Sequence, residues 1–110
     1  MRAGKLNKRI TLQRKGQQQD PNSGATIDTW LDVSTVWAGI EYLSVREFIA
    51  ARSGQVEISA RITIRYRTGI GATMRAVRGD QIFNIHGVLP DNGSGREYLT
   101  LPVSEGANDG

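Results

Sequence analysis

The chain has no cysteine and only one histidine among its 110 residues. Without cysteine it forms neither a disulfide framework nor a thiolate metal site, and His86 alone offers too few ligands for zinc or copper. With one histidine, no cysteine and no serine in a Gly-x-Ser-x-Gly elbow, the chain also lacks the components of a nucleophilic triad. We therefore expect no cofactor, no metal and no enzymatic activity, and we assign His86 no role.

Aromatic residues and long apolar runs are also scarce. No window approaches the roughly 20 apolar residues of a membrane-spanning helix, and no apolar stretch follows the first basic residues as it would in a signal peptide. We expect no association with a membrane. Aromatic residues make up 6% of the chain, which weakens an interpretation as a binder of single-stranded nucleic acid, because such proteins stack bases on aromatic rings.

Basic residues are in mild excess and unevenly placed. Lysine and arginine total 14 against 11 acidic residues, a formal net charge of +3, which is far below that of a DNA-coating protein. The last seven residues contain Glu105 and Asp109 and no base. The N-terminal side carries six basic residues before the first acid, Asp20, and these are Arg2, Lys5, Lys8, Arg9, Arg14 and Lys15. The two ends of the chain therefore have opposite polarity.

The length and composition predict one domain over residues 1–110, with an apolar fraction near that of an average globular protein. Alternation of apolar and polar residues predicts strands over 8–15, 27–42, 56–67, 74–77, 81–88 and 96–103. The last two flank a turn-rich segment and are expected to pair as a hairpin. Trp30 and Trp37 are expected to help cover the core. Residues 16–27 are polar and aperiodic, which predicts a flexible loop, and 104–110 are expected to form a tail.

One short helix is predicted within residues 43–54. Ser44 and Glu47 have the spacing of a capping box, and Gly54 is a plausible stop. A helix of two to three turns is too short to be stable alone, so it must dock on the sheet or on a partner. About five to seven short strands, one short helix and no βαβ rhythm predict a mainly β protein, a small β-barrel or sandwich.

Three arginines form the best candidate for a recognition surface. Alternation along strand 56–67 places Arg61, Arg65 and Arg67 on one face, at intervals of roughly 7–14 Å. They could contact phosphates or pair with acidic residues of a neighbouring subunit. The alternative is an ordinary solvated face of an amphipathic strand, and the charges alone do not decide between the two.

An ordered set of segments resembles the phage head-tail joining family, whose members are also described as head-closure or stopper proteins. The resemblance covers nearly the whole chain. Its segments are Ala3 to Leu12, Val36-Trp37-Ala38-Gly39-Ile40, Arg46-Glu47 after Ser44, Arg61 to Arg67, and Gly79-Asp80 with Ile85 and Gly87-Val88.

The resemblance implies a structural virion protein with a compact β-barrel. Such a protein adds as a ring of 6- or 12-fold symmetry beneath the portal and its adaptor, closes the DNA-filled head and offers a docking platform for tail proteins. It would be located in the head-tail connector, after assembly in the bacterial host cytoplasm. Contact with packaged DNA is left open. We hypothesise that the free subunit is a monomer, since its interfaces are completed only on the portal.

In related proteins the segment between the second and third main strands projects toward the central channel. Residues 43–55 hold that place here, so we hypothesise that this segment, with Arg46 and Arg52, lies near the channel or a subunit boundary. Packing of the helix on its own barrel is the alternative. Two other functions stay open, namely a tail-completion protein with a similar small barrel and a nucleic-acid-binding β-barrel.

Overall fold

The computed structural model describes residues 6–47, 58–91 and 93–106. Within these ranges the chain forms seven antiparallel strands, and a helix begins at residue 45 and is described through residue 47. The strands are β1 Lys8–Gln19, β2 Thr26–Tyr42, β3 Ala60–Arg65, β4 Arg75–Arg78, β5 Gln81–Ile85, β6 Leu89–Pro90 and β7 Tyr98–Glu105. The mainly β prediction is confirmed.

The sheet closes on itself. Its strand order is β3-β2-β1-β4-β5-β7-β6, and β3 also pairs with β7. Six strands therefore form a closed ring, while the short β6 pairs with β7 at Leu99 and Thr100, beyond the end of β5. The expected antiparallel pairing of the last two main strands is confirmed. Closure leaves these six strands without an open edge along the barrel, as in other small β-barrels.

Alternating side chains fill the barrel. Small and large residues alternate in the interior, since Ala76 of β4 is the register partner of both Leu12 and Phe83, as expected where facing side chains interdigitate. The fully buried large side chains are Phe83, Ile10, Leu12, Ile62, Ile64, Ile85, Leu101 and Val103. Burial of this apolar set is the main stabilising contribution to the fold.

Strands β1 and β2 continue well beyond the barrel. Within the described ranges β1 pairs with β4 only as far as Gln13, and β2 pairs with β3 only from Ala38 onward. Residues 14–19 and 26–31 pair with each other alone, and together with the turn between them we call residues 14–31 the arm. The molecule is correspondingly elongated, with principal extents of 48 × 29 × 23 Å.

The flexible loop predicted over residues 16–27 is wrong in its extent. Strand β1 runs to Gln19 and β2 begins at Thr26, which leaves a turn of only 20–25. The carboxylate of Asp20 organises this turn by accepting hydrogen bonds from the Asn22 N–H (2.9 Å) and the Ser23 hydroxyl (3.0 Å). Gly24 takes a φ of 75°, which glycine adopts without strain.

Polar pairs hold the arm together, which is why its strands lack apolar periodicity. On one face, directly opposite residues interact across β1 and β2 at five successive levels. The pairs are Arg9 with Trp37, Thr11 with Thr35 (3.0 Å), Gln13 with Asp32 (2.8 Å), Lys15 with Trp30, and Gln17 with Asp28 (3.5 Å). Cross-strand pairs of this kind fix the register of a hairpin without burying either face.

A β-bulge marks the junction between barrel and arm. Leu12 lies opposite Ser34 and Gln13 lies opposite Asp32, so Val33 is an extra residue on β2. Val33 is half-buried and packs against the core. On the arm itself Gly16 lies under Leu31, whose side chain a Cβ at position 16 would overlap.

Several strand limits differ from those predicted. The strand predicted over 56–67 is observed over Ala60–Arg65, with residues 56 and 57 outside the described ranges. Strand β7 continues through Glu105, so the predicted tail is shorter than 104–110, and 107–110 lie outside the described ranges. The prediction that Trp30 and Trp37 cover the core is wrong, since both lie on the outer face of the β1–β2 hairpin and Trp37 is 52% exposed.

The burial of β3 leads to a matched pair of substitutions. Ile62→Ala should lower the free energy of unfolding by about 2–5 kcal/mol, because it leaves a cavity in a closed, fully packed barrel. Ile27→Ala removes the same atoms from a side chain that is 48% exposed on the arm, and we expect a change within about 0.5 kcal/mol. Urea denaturation of both variants measures the difference, and equal effects would contradict the assignment of Ile62 to the core.

Candidate functional site

The start of the helix is tied to strand β3. The N–H of Ser44 donates to a carboxylate oxygen of Glu47 (3.2 Å), and the N–H of Glu47 donates to the Ser44 hydroxyl (3.2 Å), so the predicted capping box is confirmed. The second carboxylate oxygen of Glu47 accepts a hydrogen bond from Arg61, which also pairs with Glu41 at 3.2 Å. The hydrogen bonds from Ser44, followed by that from Arg61, lower the pKa of Glu47.

The predicted arginine surface is divided by the fold. Arg61 faces two glutamates on the outside of the barrel, whereas Arg65 and Arg67 border a cleft at the opposite end of β3. Arg46 is exposed on the first turn of the helix. Arg52 lies outside the described ranges. A contact of any of these residues with a channel or a neighbouring subunit stays a prediction.

The cleft beside Arg65, which we call the end cleft, is an open and mainly apolar depression on the surface of the barrel. It encloses about 660 Å³, and it is lined by Leu6, Asn7, Val36, Trp37, Arg65, Tyr66 and Arg67. Trp37 and Tyr66 are 52% and 42% exposed. Two exposed aromatic rings bordered by guanidinium groups are typical of protein interfaces, where aromatic residues and arginine are enriched.

The carboxylate of Asp91 organises the loop that leads into β7, and this loop is hydrogen-bonded to Tyr66 of the end cleft. Asp91 accepts hydrogen bonds from four backbone N–H groups, those of Gly93 (3.1 Å), Gly95 (3.2 Å), Glu97 (2.9 Å) and Tyr98 (3.3 Å). The carbonyl of Glu97 in turn accepts from the N–H of Tyr66 (2.9 Å), and the Tyr98 ring lies 5.9 Å from the guanidinium of Arg65. These N–H donors, first that of Glu97, lower the pKa of Asp91 because they stabilise its charged form.

A second surface combines aromatic rings with cations on the outer face of the hairpin. Arg9 lies 4.9 Å from the Trp37 ring centre, while Arg75 and Lys15 lie 4.3 Å and 5.9 Å from that of Trp30. We call Arg9, Lys15, Arg75, Trp30 and Trp37 the aromatic-cationic face. Cation–π contacts of this geometry order the long side chains over the rings.

Strand β4 brings Arg75 to this face. Its Nε donates to the Gln13 side chain (2.8 Å), which itself donates to Asp32 (2.8 Å). Desolvation lowers the pKa of Arg75, although a guanidinium stays charged in proteins. Sequence reasoning missed this face because the residues come from three strands, and only the β1–β2 and β1–β4 registers bring them together.

The single histidine lies apart from these surfaces. Its Nε2 is 2.7 Å from the Ser104 hydroxyl on the exterior of the barrel. In the part of the chain that the structure describes, no three histidine, cysteine, aspartate or glutamate side chains are arranged to hold a metal ion. Within the same residues, no helix has the length and apolarity needed to cross a bilayer.

Comparison with known proteins identifies related chains. A model of the phage head completion protein family matches residues 1–106. The chain is also similar to protein SF1141 from Shigella flexneri 2a, whose solution structure superposes with a TM-score of 0.74 at 35% sequence identity, covering 99% of this chain and 100% of that one. Among curated proteins, none matches.

A more distant similarity concerns the fold. A chain in the virion of a native gene transfer agent particle superposes with a TM-score of 0.58 at 18% identity, covering 93% of this chain and 96% of that one. At this level of identity the similarity shows a shared fold and no more. The barrel with its strand pairing is thus common to chains of very different sequence.

The hydrogen bonds to Asp91 predict an acid-dependent contribution to stability. Because its folded pKa lies below the value of 3.8 for a free carboxyl group, the contribution is complete above that value and is lost as the pH falls through the lowered pKa. Asp91→Asn should therefore lower stability at pH 7, and the difference from the unmodified protein should shrink below about pH 4. Urea denaturation across this pH range measures it.

A matched control is Asp80→Asn, which removes the same charge from the turn at residues 79–80. We expect the free energy of unfolding of this variant to change with pH below about pH 4 in the same way as that of the unmodified protein. If Asp91→Asn and Asp80→Asn gave the same curve, the four N–H donors would not be what stabilises the charged carboxylate.

Proposed function

Because this chain belongs to the phage head completion protein family, we propose that it is a structural virion protein that closes the DNA-filled head. In this proposal it assembles as a ring below the portal and its adaptor and provides the platform on which the tail docks. The observation that carries the proposal is the family match over residues 1–106, which includes every described residue. Its partners are then the portal or adaptor, the tail proteins and other copies of this chain.

The geometry supports a subunit that acts through structural contacts rather than by catalysing a reaction. A closed barrel with a fully packed interior is a rigid body, and rigid bodies transmit contacts from one face to another without rearranging. The arm extends beyond the barrel, and the end cleft lies on the barrel itself. A ring subunit requires surfaces for two neighbours as well as for the components above and below it.

The candidate contact residues take different parts in this proposal. Arg46 is exposed at the helix start, and we assign it, with Arg52, to the channel side or a subunit boundary. Arg65 and Arg67 border the end cleft and are assigned to a contact with another subunit or partner. Arg61 is held by Glu41 and Glu47, and its role in the proposal is to hold the helix start on the barrel.

Complementation of filled heads tests this function. Heads made without this protein should leak DNA and fail to accept tails, and adding the purified protein should restore both properties. Nuclease-sensitive DNA release and the fraction of tailed particles are the measurements. Heads from an otherwise identical lysate that contains the protein give the upper reference. If heads without it retain their DNA and accept tails, head closure is the wrong function and a tail-completion role takes its place.

Contact with nucleic acid is the second candidate, and the aromatic-cationic face is the observation that favours it. The chain is poor in aromatic residues, yet both of its tryptophans lie on one outer face beside Arg9, Lys15 and Arg75. Stacking rings beside cations are the elements of single-strand binding. Asp28 and Asp32 lie on the same face, and their charges oppose the approach of phosphates.

The salt dependence of DNA binding separates the two candidates. A head-closing subunit should bind a short labelled DNA weakly at physiological salt. A barrel that binds single-stranded DNA should show a steep linear decrease of log K with log salt, and Arg9→Ala with Lys15→Ala should reduce the slope by roughly 1.4, that is about 0.7 per lost phosphate contact. Arg78→Ala with Arg96→Ala removes the same charge elsewhere and is the control. Fluorescence anisotropy measures all of these.

A further inference from the structure

The arm presents two strand edges with no strand partner among the described residues. On β1, residues 14–19 lie beyond the last pair with β4, which is Gln13 with Arg75. On β2, residues 26–37 precede the first pair with β3, which is Ala38 with Ile64. A two-stranded hairpin is marginally stable by itself in water, and open edges are templates for pairing with another strand. The barrel closes its own edges, whereas the arm leaves both of its edges open.

The two open edges carry opposite charges. Strand β1 bears Arg14 and Lys15 on its arm portion and no acid, whereas β2 bears Asp28 and Asp32 and no base. All four side chains are exposed. Like charges directly opposite each other destabilise a strand pair, and opposite charges stabilise it. Pairing of β1 with β1 or of β2 with β2 between copies is therefore disfavoured, and pairing of β1 with β2 is favoured.

Strand direction and side-chain chemistry agree with this choice. Because β1 and β2 are antiparallel within a copy, two copies in the same orientation place β1 of one antiparallel to β2 of the next. The pair between Gln17 and Asp28, both of which lie on the open edges, could then be repeated from copy to copy. Each contact uses a different edge on each partner, and such heterologous contacts form a ring when the rotation from copy to copy closes.

We propose that the occupant of the arm's open edges is the arm of a second copy, with β1 of one copy paired to β2 of the next. Repeated around a ring, these contacts form one continuous sheet of arms. The inference deepens the proposed head-closing function, since it identifies the surface that joins neighbouring copies in the ring. The strand pairing itself requires only two copies of this chain, so it is testable apart from head closure.

Isotope-mixed cross-linking tests the contact. An equal mixture of ¹⁴N- and ¹⁵N-labelled protein is treated with a zero-length carbodiimide, both at high concentration in solution and on complemented heads. We expect mixed-isotope peptides that join Lys15 to Asp28 or Asp32, because only links between copies contain both labels. Lys8, on the barrel portion of β1 opposite Ala38, should give no mixed link to these aspartates. Absence of the Lys15 links in both samples overturns the proposal.

Charge reversal tests its electrostatic basis. Arg14→Glu with Lys15→Glu makes the open edges of β1 and β2 both acidic, and Asp28→Lys with Asp32→Lys makes both edges basic. Because these substitutions also remove the groups that the carbodiimide joins, association is measured by analytical ultracentrifugation. Each variant alone should lose association between copies on the order of tenfold, and an equal mixture of the two should recover it. Arg78→Glu with Arg96→Glu is the matched control and should keep the unmodified level. Recovery in the mixture excludes misfolding as the cause of the loss, and failure to recover overturns the proposal.

The outcomes separate this inference from the proposed function. If the arms cross-link but complemented heads do not retain DNA, head closure fails and the contact between arms stands. If heads are closed equally well by the charge-reversed variants and carry no links between arms, head closure stands and this inference is wrong.

Discussion

The pairing of β3 with β7 is the constraint on which the other features of this molecule depend. Six residue pairs, from Ala60 with Val103 to Arg65 with Tyr98, join the middle of the chain to its last strand. This pairing turns an open sheet into a barrel and encloses the apolar side chains of all six closing strands. It also brings Arg65 beside Tyr98 at one end of the strand, where Arg65 lines the end cleft together with Trp37 and Tyr66.

Inside the barrel, burial of apolar side chains stabilises the structure. Outside it, polar interactions do so. Three carboxylates, those of Asp20, Glu47 and Asp91, each accept backbone N–H groups at a turn or a helix start, and the pKa of each is lowered. The cross-strand pairs of the hairpin hold β1 and β2 in register without a buried face. With only one modest core, this small protein thereby maintains an extended arm and an ordered loop without burying additional apolar surface.

An apolar, closed barrel with polar interactions outside it fits a subunit that functions by making contacts. The closed barrel gives this member of the phage head completion protein family a rigid body, and the exposed features carry charge or aromatic rings in arrangements suited to partners. The end cleft and the aromatic-cationic face meet at Trp37, and that face shares Lys15 and Trp30 with the arm. The chain therefore presents several exposed surfaces to which the partners proposed above could bind.

The sequence by itself determined the features that depend on local pattern. Alternation predicted the β character and the buried faces of β1 and β3, because Ile10, Leu12, Ile62 and Ile64 repeat at the period of a strand with one face in the core. The spacing of Ser44 and Glu47 predicted the capping box, since that contact spans only three residues. The ordered segments also indicated the head-closure family, and the match over residues 1–106 confirmed it.

Only the tertiary structure decided what depends on register between distant strands. Residues 16–19 and 26–27 form strands although neither face is buried, so no apolar period marks them, and polar partners such as Gln17 and Asp28 hold them together. The positions of Trp30 and Arg75 were likewise set by the β1–β2 and β1–β4 registers. Local spacing determines which face of a strand is apolar, whereas the strand that lies beside it follows from closure of the whole barrel.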